Sequence, residues 1–381
     1  MEKMTSLDRM KKENEKNILR VVHENPGIYR KLIATKTGLS SQTITNLVTE
    51  MLERNMLLEH VQLPGTRGRT PVSLEINYGS FHLVTVEVTS RRLLACLHSL
   101  DETTVVCEEC VLQRGEDVLR RLKELLENVC VQAPQTRRVQ ALVVSVTGVV
   151  NEETGMVVHA ETLNWSNLNL REELSYLGYP VLVCNDVNLI AYYEKARHQG
   201  EMNFMVAKLD VGIGASFVLG SRVLRTANNA VGELGHVTVA CEEERPCACG
   251  KTNCLTQFIS QEALEETYGQ PYETLVEDVH KGKTEAILRI EKLCSHLALV
   301  LANVITLLDL DRVILCGSTT NDFREVLHLC LDKRIRRLLS YWVSFKGVEI
   351  HNRAGIAEIG ACFWMDMFFS SDDMEFAIEG E

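Results

Sequence analysis

The sequence lacks the apolar segments that mark exported and membrane-spanning proteins. Its longest apolar stretch, residues 297–310, is broken by Asn303 and carries Asp309, so it falls short of the 18 uninterrupted apolar residues typical of a membrane span. This stretch predicts a buried helix instead. The first 16 residues are highly charged and contain no apolar core of a secretion signal, so we expect a cytoplasmic protein.

The chain also lacks an overall positive charge, because 40 Lys and Arg face 52 Asp and Glu, a formal net charge of −12. The charge is uneven: the first 80 residues hold 12 basic and 9 acidic residues, and the other 301 hold 28 and 43. A small basic domain is therefore expected ahead of a large acidic one. The 13 cysteines are odd in number and no export signal accompanies them, so most are expected to be reduced core residues.

The first 80 residues have the pattern of a helix-turn-helix. Apolar spacing predicts helices over 7–25 and 29–37, ended by Pro26-Gly27 and by Gly38, and a third helix that starts at Ser40. In the third helix a buried stripe is formed by Ile44, Leu47, Val48, Met51 and Leu52. The opposite face, which we expect to read base edges in a major groove, consists of Ser41, Gln42, Thr45, Asn46 and Thr49.

Two strands, over 57–62 and 71–76, are predicted to flank a loop that carries Arg67 and Arg69. These arginines are suited to phosphate or minor-groove contact, which makes the segment a winged helix-turn-helix. A three-helix domain used for protein contact is the alternative. The local positive charge favours DNA.

The rest of the chain repeats an order of three strands, a helix and a strand, which suggests a duplicated α/β fold with a ligand cleft between its halves. The first set is predicted over 81–88, 92–100, 103–112, 116–131 and 141–146. The second is predicted over 204–211, 215–220, a short strand near Val223, 285–308 and 312–317.

The strongest chemical motif is a histidine followed by three cysteines, His236, Cys247, Cys249 and Cys254, in the spacing H-x10-C-x-C-x4-C. One imidazole and three thiolates suit a closed, tetrahedral, structural zinc site. A chance cluster of core cysteines is the alternative, and Cys241 is a less favoured ligand.

Two further motifs bear on small-molecule binding. Gly212 and Gly214 form a glycine-rich turn able to approach a phosphate, although such pairs are common in hairpins. Asn185 and Asp186 follow a strand and precede a helix. The Asp186 carboxylate either takes a proton from a sugar hydroxyl as a general base or caps the helix, and the residues alone favour the cap.

Together these residues resemble the ROK family, named for repressors, open reading frames and sugar kinases. The matching motifs are G-R-x-P at 68–71, TGVVNEETG at 147–155, Asn164-Trp165, Asn185-Asp186, G-E-x-G-H at 232–236 and C-x-C-G-x-x-x-C at 247–254. The resemblance implies an α/β protein with a winged helix-turn-helix over 1–78 and a duplicated actin-like, ribonuclease-H-type sugar domain over 79–381. The lobes of that domain are expected over 79–185 plus the C-terminal helix, and over 186–357.

The resemblance also implies ligands. Sugar hydroxyls are expected at Asn164, Asn185, Asp186, Glu233 and His236. One structural zinc ion per chain is expected at His236 and the three cysteines, so His236 holds zinc with one ring nitrogen and sugar with the other.

The chain departs from the family pattern where the kinases carry D-x-G-x-T, because Glu87, Thr89 and Arg91 stand at the Asp, Gly and Thr positions. A β-branched residue at the glycine position obstructs a phosphate loop, so no kinase activity is expected and Asp186 is a vestigial base. Thr256 stands for a sugar-binding Glu and Asn253 for a Gly, so the sugar is not expected to be plain glucose or N-acetylglucosamine.

We therefore expect a repressor of carbohydrate-utilisation genes, a homodimer or a dimer of dimers, that binds a palindromic operator in double-stranded DNA. A sugar or sugar derivative is expected to control it by shifting the population between two conformations. A sugar kinase carrying a DNA-binding domain is the main alternative. A DNA-binding protein that takes its signal from a protein partner is another.

Overall fold

The protein is described here from a computed structural model, whose chain contacts divide into two units. The residues described are 6–61, 72–113, 115–133, 138–198, 200, 202–240, 244–352 and 354–370. Unit 1 comprises residues 1–146, 152–184 and 356–381, and unit 2 comprises 147–151 and 185–355.

The N-terminal part of unit 1 is a winged helix-turn-helix, as predicted. Its elements are α1 (Ser6–Glu24), β1 (Ile28–Tyr29), α2 (Arg30–Thr37), α3 (Ser41–Glu53), β2 (Leu57–Val61) and β3 (Val72–Ile76). β3 pairs antiparallel with both β2 and β1. β1 was not predicted, since two residues carry no periodicity. The wing loop with Arg67 and Arg69 lies outside the described residues.

The turn between α2 and α3 follows from its capping residues. Gly38 ends α2 with φ 72°, and its N–H donates to Ala34 O. Ser40 begins α3, its Oγ accepting from the N–H of Thr43 at 3.1 Å. Of the predicted stripe on α3, Leu52 is half-buried and the other four are buried: Ile44, Leu47, Val48 and Met51.

A five-stranded sheet follows in unit 1. The elements of this part are β4 (Phe81–Val88), β5 (Arg92–Ser99), β6 (Thr104–Val111), α4 (Val118–Val131), β7 (Arg138–Val146), β8 (Val149–Asn151), β9 (Met156–Ala160), β10 (Trp165–Asn169), α5 (Leu170–Glu173) and β11 (Val181–Asn185). The sheet order is β11-β7-β4-β5-β6, in which β4 is antiparallel to β5 and parallel to β7. β9 and β10 form a separate antiparallel hairpin.

Unit 2 has a second five-stranded sheet of the same pattern. The elements are α6 (Asp186–Arg197), β12 (Phe204–Leu209), β13 (Ile213–Leu219), β14 (Arg222–Val223), α7 (Thr256–Ile259), α8 (Gln261–Tyr268), α9 (Tyr272–His280), α10 (Thr284–Leu308), β15 (Arg312–Cys316), α11 (Ser318–Asp322), α12 (Arg324–Leu338) and β16 (Gly347–Ile350). Its order is β14-β13-β12-β15-β16, with β12 antiparallel to β13 and parallel to β15. The repeated topology confirms the predicted duplicated α/β fold.

The apolar stretch of α10 is a core helix. By length and composition α10 is able to cross a membrane, but half of its apolar window is buried within unit 2. Its buried residues pack with those of α12, α9 and β15 in one hydrophobic cluster. The prediction of a buried helix is confirmed, since a core helix passes the same hydropathy test.

The last helix, α13 (Ile356–Ser370), returns the chain to unit 1. It lies so close to β4 that a Cβ on Gly360 would come within 2.0 Å of Thr85 Oγ1. Its Trp364 and Phe368 belong to the same hydrophobic cluster as Ile18 and the rest of the winged helix-turn-helix core. The DNA-binding helices and the first sheet therefore share a core.

Most of the described cysteines are free, as expected, but only five of the free ones are buried: Cys184, Cys254, Cys294, Cys316 and Cys362. Cys96 and Cys107 are opposite each other on β5 and β6 and form a disulfide. The other 10 cysteines among the described residues are free.

Candidate ligand and metal site

Helix α6 begins with a cap that the sequence assigned to the wrong residue. Asn185, not Asp186, caps the helix: its Oδ1 accepts from the N–H groups of Val187 at 2.9 Å and Asn188 at 3.1 Å. Its Nδ2 donates to Gly148 O at 2.8 Å. Asn185 precedes the first helical residue, the position from which a short side chain reaches those N–H groups. The Asp186 carboxylate is left for other contacts.

Asp186 forms a buried ion pair that the sequence analysis missed. Lys208 Nζ lies 2.7 Å from Asp186 Oδ2 and 3.6 Å from Asp210 Oδ2, and the side chains of Lys208 and Asp186 are 11% and 8% exposed. Thr147 Oγ1 also donates to Asp186 Oδ2, at 3.4 Å. Burial lowers the pKa of Lys208, but Asp186 and Asp210 together outweigh burial and raise it. The one available signal was a lysine within an otherwise apolar strand.

Two glycines near the carboxyl ends of β12 and β15 lie close to neighbouring atoms, whereas Gly212, in the turn after β12, has nothing within 4 Å of its Cβ position. A Cβ on Gly214 would lie 3.1 Å from Val187 Cγ2. Gly317 has φ 104°, and a Cβ there would lie 2.2 Å from Leu209 O. Gly317 therefore requires glycine for both space and conformation.

The G-E-x-G-H segment packs against β13 in unit 2. Gly232 has φ 94°, and a Cβ on it would lie 1.8 Å from Ala215 O. Its carbonyl accepts from the N–H of Ala215 at 2.7 Å. The close approach fixes the following 3-10 turn, Leu234–His236, with Glu233 just before it.

The histidine and three cysteines of the predicted metal motif come together. One possible ligand atom from each of His236, Cys247, Cys249 and Cys254 lies within 4.8 Å of the others. His236 Nδ1 is 3.7 Å from Cys247 Sγ, and Cys249 Sγ is 3.5 Å from Cys254 Sγ. The other ring nitrogen, Nε2, is 3.9 Å from Glu233 Oε2. The cluster can hold a metal ion, and the two nitrogens of His236 face different groups.

Of the two departures from the family motif, the structure accounts for Asn253. Asn253 adopts the left-handed φ of 56° that a glycine would supply, and its Oδ1 accepts from the N–H of Arg245 at 2.8 Å. Thr256 begins α7, where its Cβ would lie 3.5 Å from a Cβ on Gly235. Cys241, the less favoured ligand, lies outside the described residues.

In unit 1, the segment that carries Glu87, Thr89 and Arg91 is a closed turn. Thr89 Oγ1 accepts from the N–H of Arg92 at 3.0 Å and donates to its carbonyl at 2.7 Å. Glu87 is 4% exposed, and its Oε2 lies 3.1 Å from Arg92 Nη2. Arg91, between them, is exposed.

Asn164 also belongs to unit 1. It is exposed, has φ 54° and ends a 3-10 turn just before β10. Of the five residues predicted to bind sugar, unit 2 holds Asn185, Asp186, Glu233 and His236.

The polar face of α3 is exposed as predicted, on Ser41, Gln42, Thr45, Asn46 and Thr49. Gln42 Nε2 donates to Asn46 Oδ1 at 3.0 Å, so the pair presents the Gln42 carbonyl oxygen and the Asn46 amide group to solvent. The hydroxyls of Thr45 and Thr49 donate to carbonyls one turn back, both at 2.8 Å.

Known proteins are similar to both the N-terminal part of the chain and the remainder. A winged helix-turn-helix DNA-binding model matches residues 11–57. The xylose repressor of Caldicellulosiruptor bescii is 27% identical over 262 residues, which are 67% of this chain and 65% of that protein, so the match spans just under two thirds of that relative. The transcriptional dual regulator NagC of Escherichia coli is 24% identical over 84% of both chains.

A crystal structure of a ROK family transcriptional regulator, a homologue of the E. coli Mlc protein, superposes with a TM-score of 0.79 at 24% identity. The superposition covers 95% of this chain and 97% of that one, and it supports the fold. The ROK family model matches residues 84–364, about three quarters of the sequence. The chain belongs to the ROK family.

Proposed function

We propose that this protein is a cytoplasmic repressor of carbohydrate-utilisation genes that binds DNA through α3 and is controlled by a sugar bound in its ROK domain. The observation that carries the proposal is the exposed hydrogen-bonding face of α3, fixed by a buried apolar stripe, in a chain whose remainder belongs to the ROK family. The relatives named above are themselves named as repressors or regulators.

The base-reading contacts are assigned to the exposed face of α3. Gln42 and Asn46 together offer a carbonyl oxygen and an amide, the pair of groups that recognises the N6 and N7 edge of adenine. Ser41, Thr45 and Thr49 flank them with hydroxyl groups. Arg67 and Arg69 in the wing remain predicted phosphate or minor-groove contacts.

Sugar hydroxyls are assigned to Asp186, Glu233 and His236 in unit 2, and the role of Asn164 stays a prediction from the sequence. Asp186 Oδ2 is occupied by Lys208 and Thr147, whereas Oδ1 has no hydrogen-bond partner among the described residues and is available as an acceptor. The side chain of Asn185 is already engaged as a helix cap, so its part in sugar binding is to orient Asp186.

The metal is proposed to be zinc, since one imidazole and three thiolates in a closed cluster suit tetrahedral Zn²⁺. His236 would bind it through Nδ1, which faces Cys247, and offer Nε2, which faces Glu233, to the sugar. Metal binding would thereby fix the tautomer of a sugar-binding histidine.

Phosphoryl transfer is not expected. The turn at Glu87 and Thr89 is filled by their own contacts with Arg92, and Asp186 is ion-paired to Lys208. The retained role of Asp186 is hydrogen bonding.

A palindromic operator calls for two copies of α3, so the active form is proposed to be a homodimer. Sugar would favour a conformation in which the two α3 helices no longer match the operator spacing.

The test has two arms. Operator sites are selected from genomic fragments with the zinc-loaded chain, and the affinity of Asn46→Ala is compared with that of Ser295→Ala, a change on the exposed surface of α10 in unit 2. Asn46→Ala is expected to lose about 1 to 3 kcal/mol at one base position. Equal binding by the two variants would remove α3 as the reading helix.

The second arm is a thermal-shift panel of hexoses, pentoses and amino sugars with an ATP turnover assay beside it. One sugar is expected to raise Tm, with the rise lost in Asp186→Asn. Turnover of ATP with any sugar would establish the kinase alternative instead. Operator binding without any sugar shift would favour control by a protein partner.

A further inference from the structure

The charge of Lys208 is already balanced inside unit 2. Its ammonium contacts Asp186 at 2.7 Å and Asp210 at 3.6 Å, so two carboxylates share one cation. This buried set therefore carries an excess of negative charge. A ligand that approaches Asp186 therefore finds the Lys208 ammonium already paired with two carboxylates.

Lys208 and Asp210 also line a cavity of about 160 Å³, and Glu194 of α6 lines it with them. Glu194 is 2% exposed. Its Oε1 is 2.9 Å from His351 Nδ1, whereas Oε2 is buried without a hydrogen-bond partner among the described residues. A buried carboxylate oxygen without a donor is unfavourable, so the cavity suits a ligand that donates an O–H.

Two other basic side chains near the cavity, those of His351 and Arg324, already have polar partners. His351 lies between Glu194 and Glu349, whose Oε2 is 3.1 Å from His351 Nε2. Arg324 does not line the cavity, and it donates to the backbone oxygen of Ile350 and to the side-chain oxygens of Asn321 and Asn352.

Beside the metal cluster, Lys251 is exposed and donates to the carbonyl of His236 at 2.6 Å. A phosphate group carries about 1.5 to 2 negative charges at neutral pH. A phosphate ester would have to leave water for a cavity in which the described residues offer no free buried cation, next to carboxylates that repel it.

We propose that the effector site of unit 2 includes Lys208, Asp210 and Glu194, and that this set restricts the effector to an uncharged, hydroxyl-bearing sugar and excludes sugar phosphates. The proposal rests on the proposed sugar control and names the class of its ligand. Asp210 makes the net charge of the set negative, because Asp186 alone would neutralise Lys208. Glu194 is an acceptor for a sugar hydroxyl.

The test is calorimetric titration of the zinc-loaded full chain with D-xylose, D-galactose and D-mannose. Each sugar is paired with a phosphate ester that keeps its pyranose ring: xylose 1-phosphate, galactose 6-phosphate and mannose 6-phosphate. At least one free sugar is expected to bind at least tenfold more tightly than its phosphate ester.

Two variants, each with a matched control, test which residues cause the preference for free sugar. Asp210→Asn keeps the shape of the side chain and removes one negative charge, so the ratio of free-sugar affinity to phosphate-ester affinity is expected to decrease about tenfold. Asp332→Asn removes the same charge from α12, where Asp332 pairs with Arg336 at 2.7 Å, and is expected to leave the ratio unchanged. Glu194→Gln is expected to weaken the free sugar about tenfold, whereas Glu277→Gln on the surface of α9 should not. Melting curves check that all four variants fold.

The outcomes separate this inference from the proposed function. A phosphate ester that binds as tightly as its free sugar, or equal effects of Asp210→Asn and Asp332→Asn, overturns the inference and leaves sugar control standing. A panel in which nothing binds, with operator binding intact, overturns sugar control itself.

Discussion

The imidazole of His23 stacks on the ring of Phe369, with centroids 4.1 Å apart and planes inclined by 12°. The contact joins α1 of the DNA-binding domain to α13. Arg20 Nε donates to Phe369 O at 2.9 Å, and His23 Nδ1 is 2.7 Å from Tyr78 Oη. α13 begins at Ile356, immediately after Gly355, the last residue of unit 2, so the chain runs directly from unit 2 into the helix that contacts α1.

Replacement of Phe369 by Ala is expected to lower the free energy of unfolding by about 1 to 3 kcal/mol, through loss of a half-buried ring and its stacking contact. It is also expected to reduce the effect of sugar on operator affinity, because α13 no longer holds α1. Urea unfolding and fluorescence anisotropy with labelled operator measure the two effects. Phe369→Tyr keeps the ring and serves as control; an Ala variant that matches it in both assays would contradict the account.

A second prediction concerns pH. Burial lowers the pKa of His98 from 6.5 to about 4, where its Nε2 is 2.8 Å from Thr85 Oγ1. The folded protein keeps His98 neutral while the unfolded chain takes up a proton below about pH 6.5. Stability is therefore complete above pH 6.5 and falls as the pH drops toward 4, by about 3 kcal/mol from this residue.

Urea unfolding at pH 7.5, 5.5 and 4.5 measures that decline. His98→Asn removes the titrating group, so its stability is expected to fall less between pH 7.5 and 4.5 than that of the unmodified protein. A decline of the same size in the variant would show that another group is responsible.

Removal of the metal is expected to loosen the loop between His236 and Cys254. Dialysis against a chelator should release one zinc ion per chain, lower Tm and weaken sugar binding, because His236 loses its fixed orientation. Cys249→Ser should do the same, whereas Cys110→Ser, a free thiol in unit 1, should not. Elemental analysis and sugar titration provide the measurements. Full zinc content in Cys249→Ser would rule out this ligand set.

The turn at Gly232 provides a test of backbone geometry. Gly232→Ala places a Cβ 1.8 Å from Ala215 O and must displace the segment that carries Glu233 and His236. A loss of about 2 to 4 kcal/mol and of the sugar response is expected. Gly269→Ala, at φ 72° with nothing within 4 Å, isolates the conformational strain and should lose only about 1 kcal/mol. Equal losses in urea unfolding would mean that the segment adapts freely.

Much of the fold could be predicted because its strands and helices carry strong periodicity. Helix α10 and seven strands of the two five-stranded sheets lie within a few residues of their predicted bounds: β4, β5, β6, β7, β12, β13 and β15. A strand was also expected near Val223, where β14 lies, whereas β11 and β16 had no predicted bounds. β1 and the β9–β10 hairpin were missed, since short strands with little burial leave no period. The cap of α6 was assigned to Asp186 because position within one or two residues is beyond what a pattern resolves.

The candidate site was predictable where its residues are close in sequence, as in the cluster of His236 with three cysteines. Lys208 was missed because its partners Asp186 and Asp210 are brought together by the strand and helix arrangement, and only Asp210 is near in sequence. The disulfide partners Cys96 and Cys107 likewise meet through strand register, which the sequence did not fix.

The central claim, that one sugar and one operator act on the same two-state protein, is tested most directly by reciprocity. The dissociation constant of the labelled operator is measured with and without saturating sugar, and that of the sugar with and without operator. The account predicts that both change by the same factor and that Asp186→Asn removes both changes. Operator affinity that stays the same in the presence of a bound sugar would contradict it.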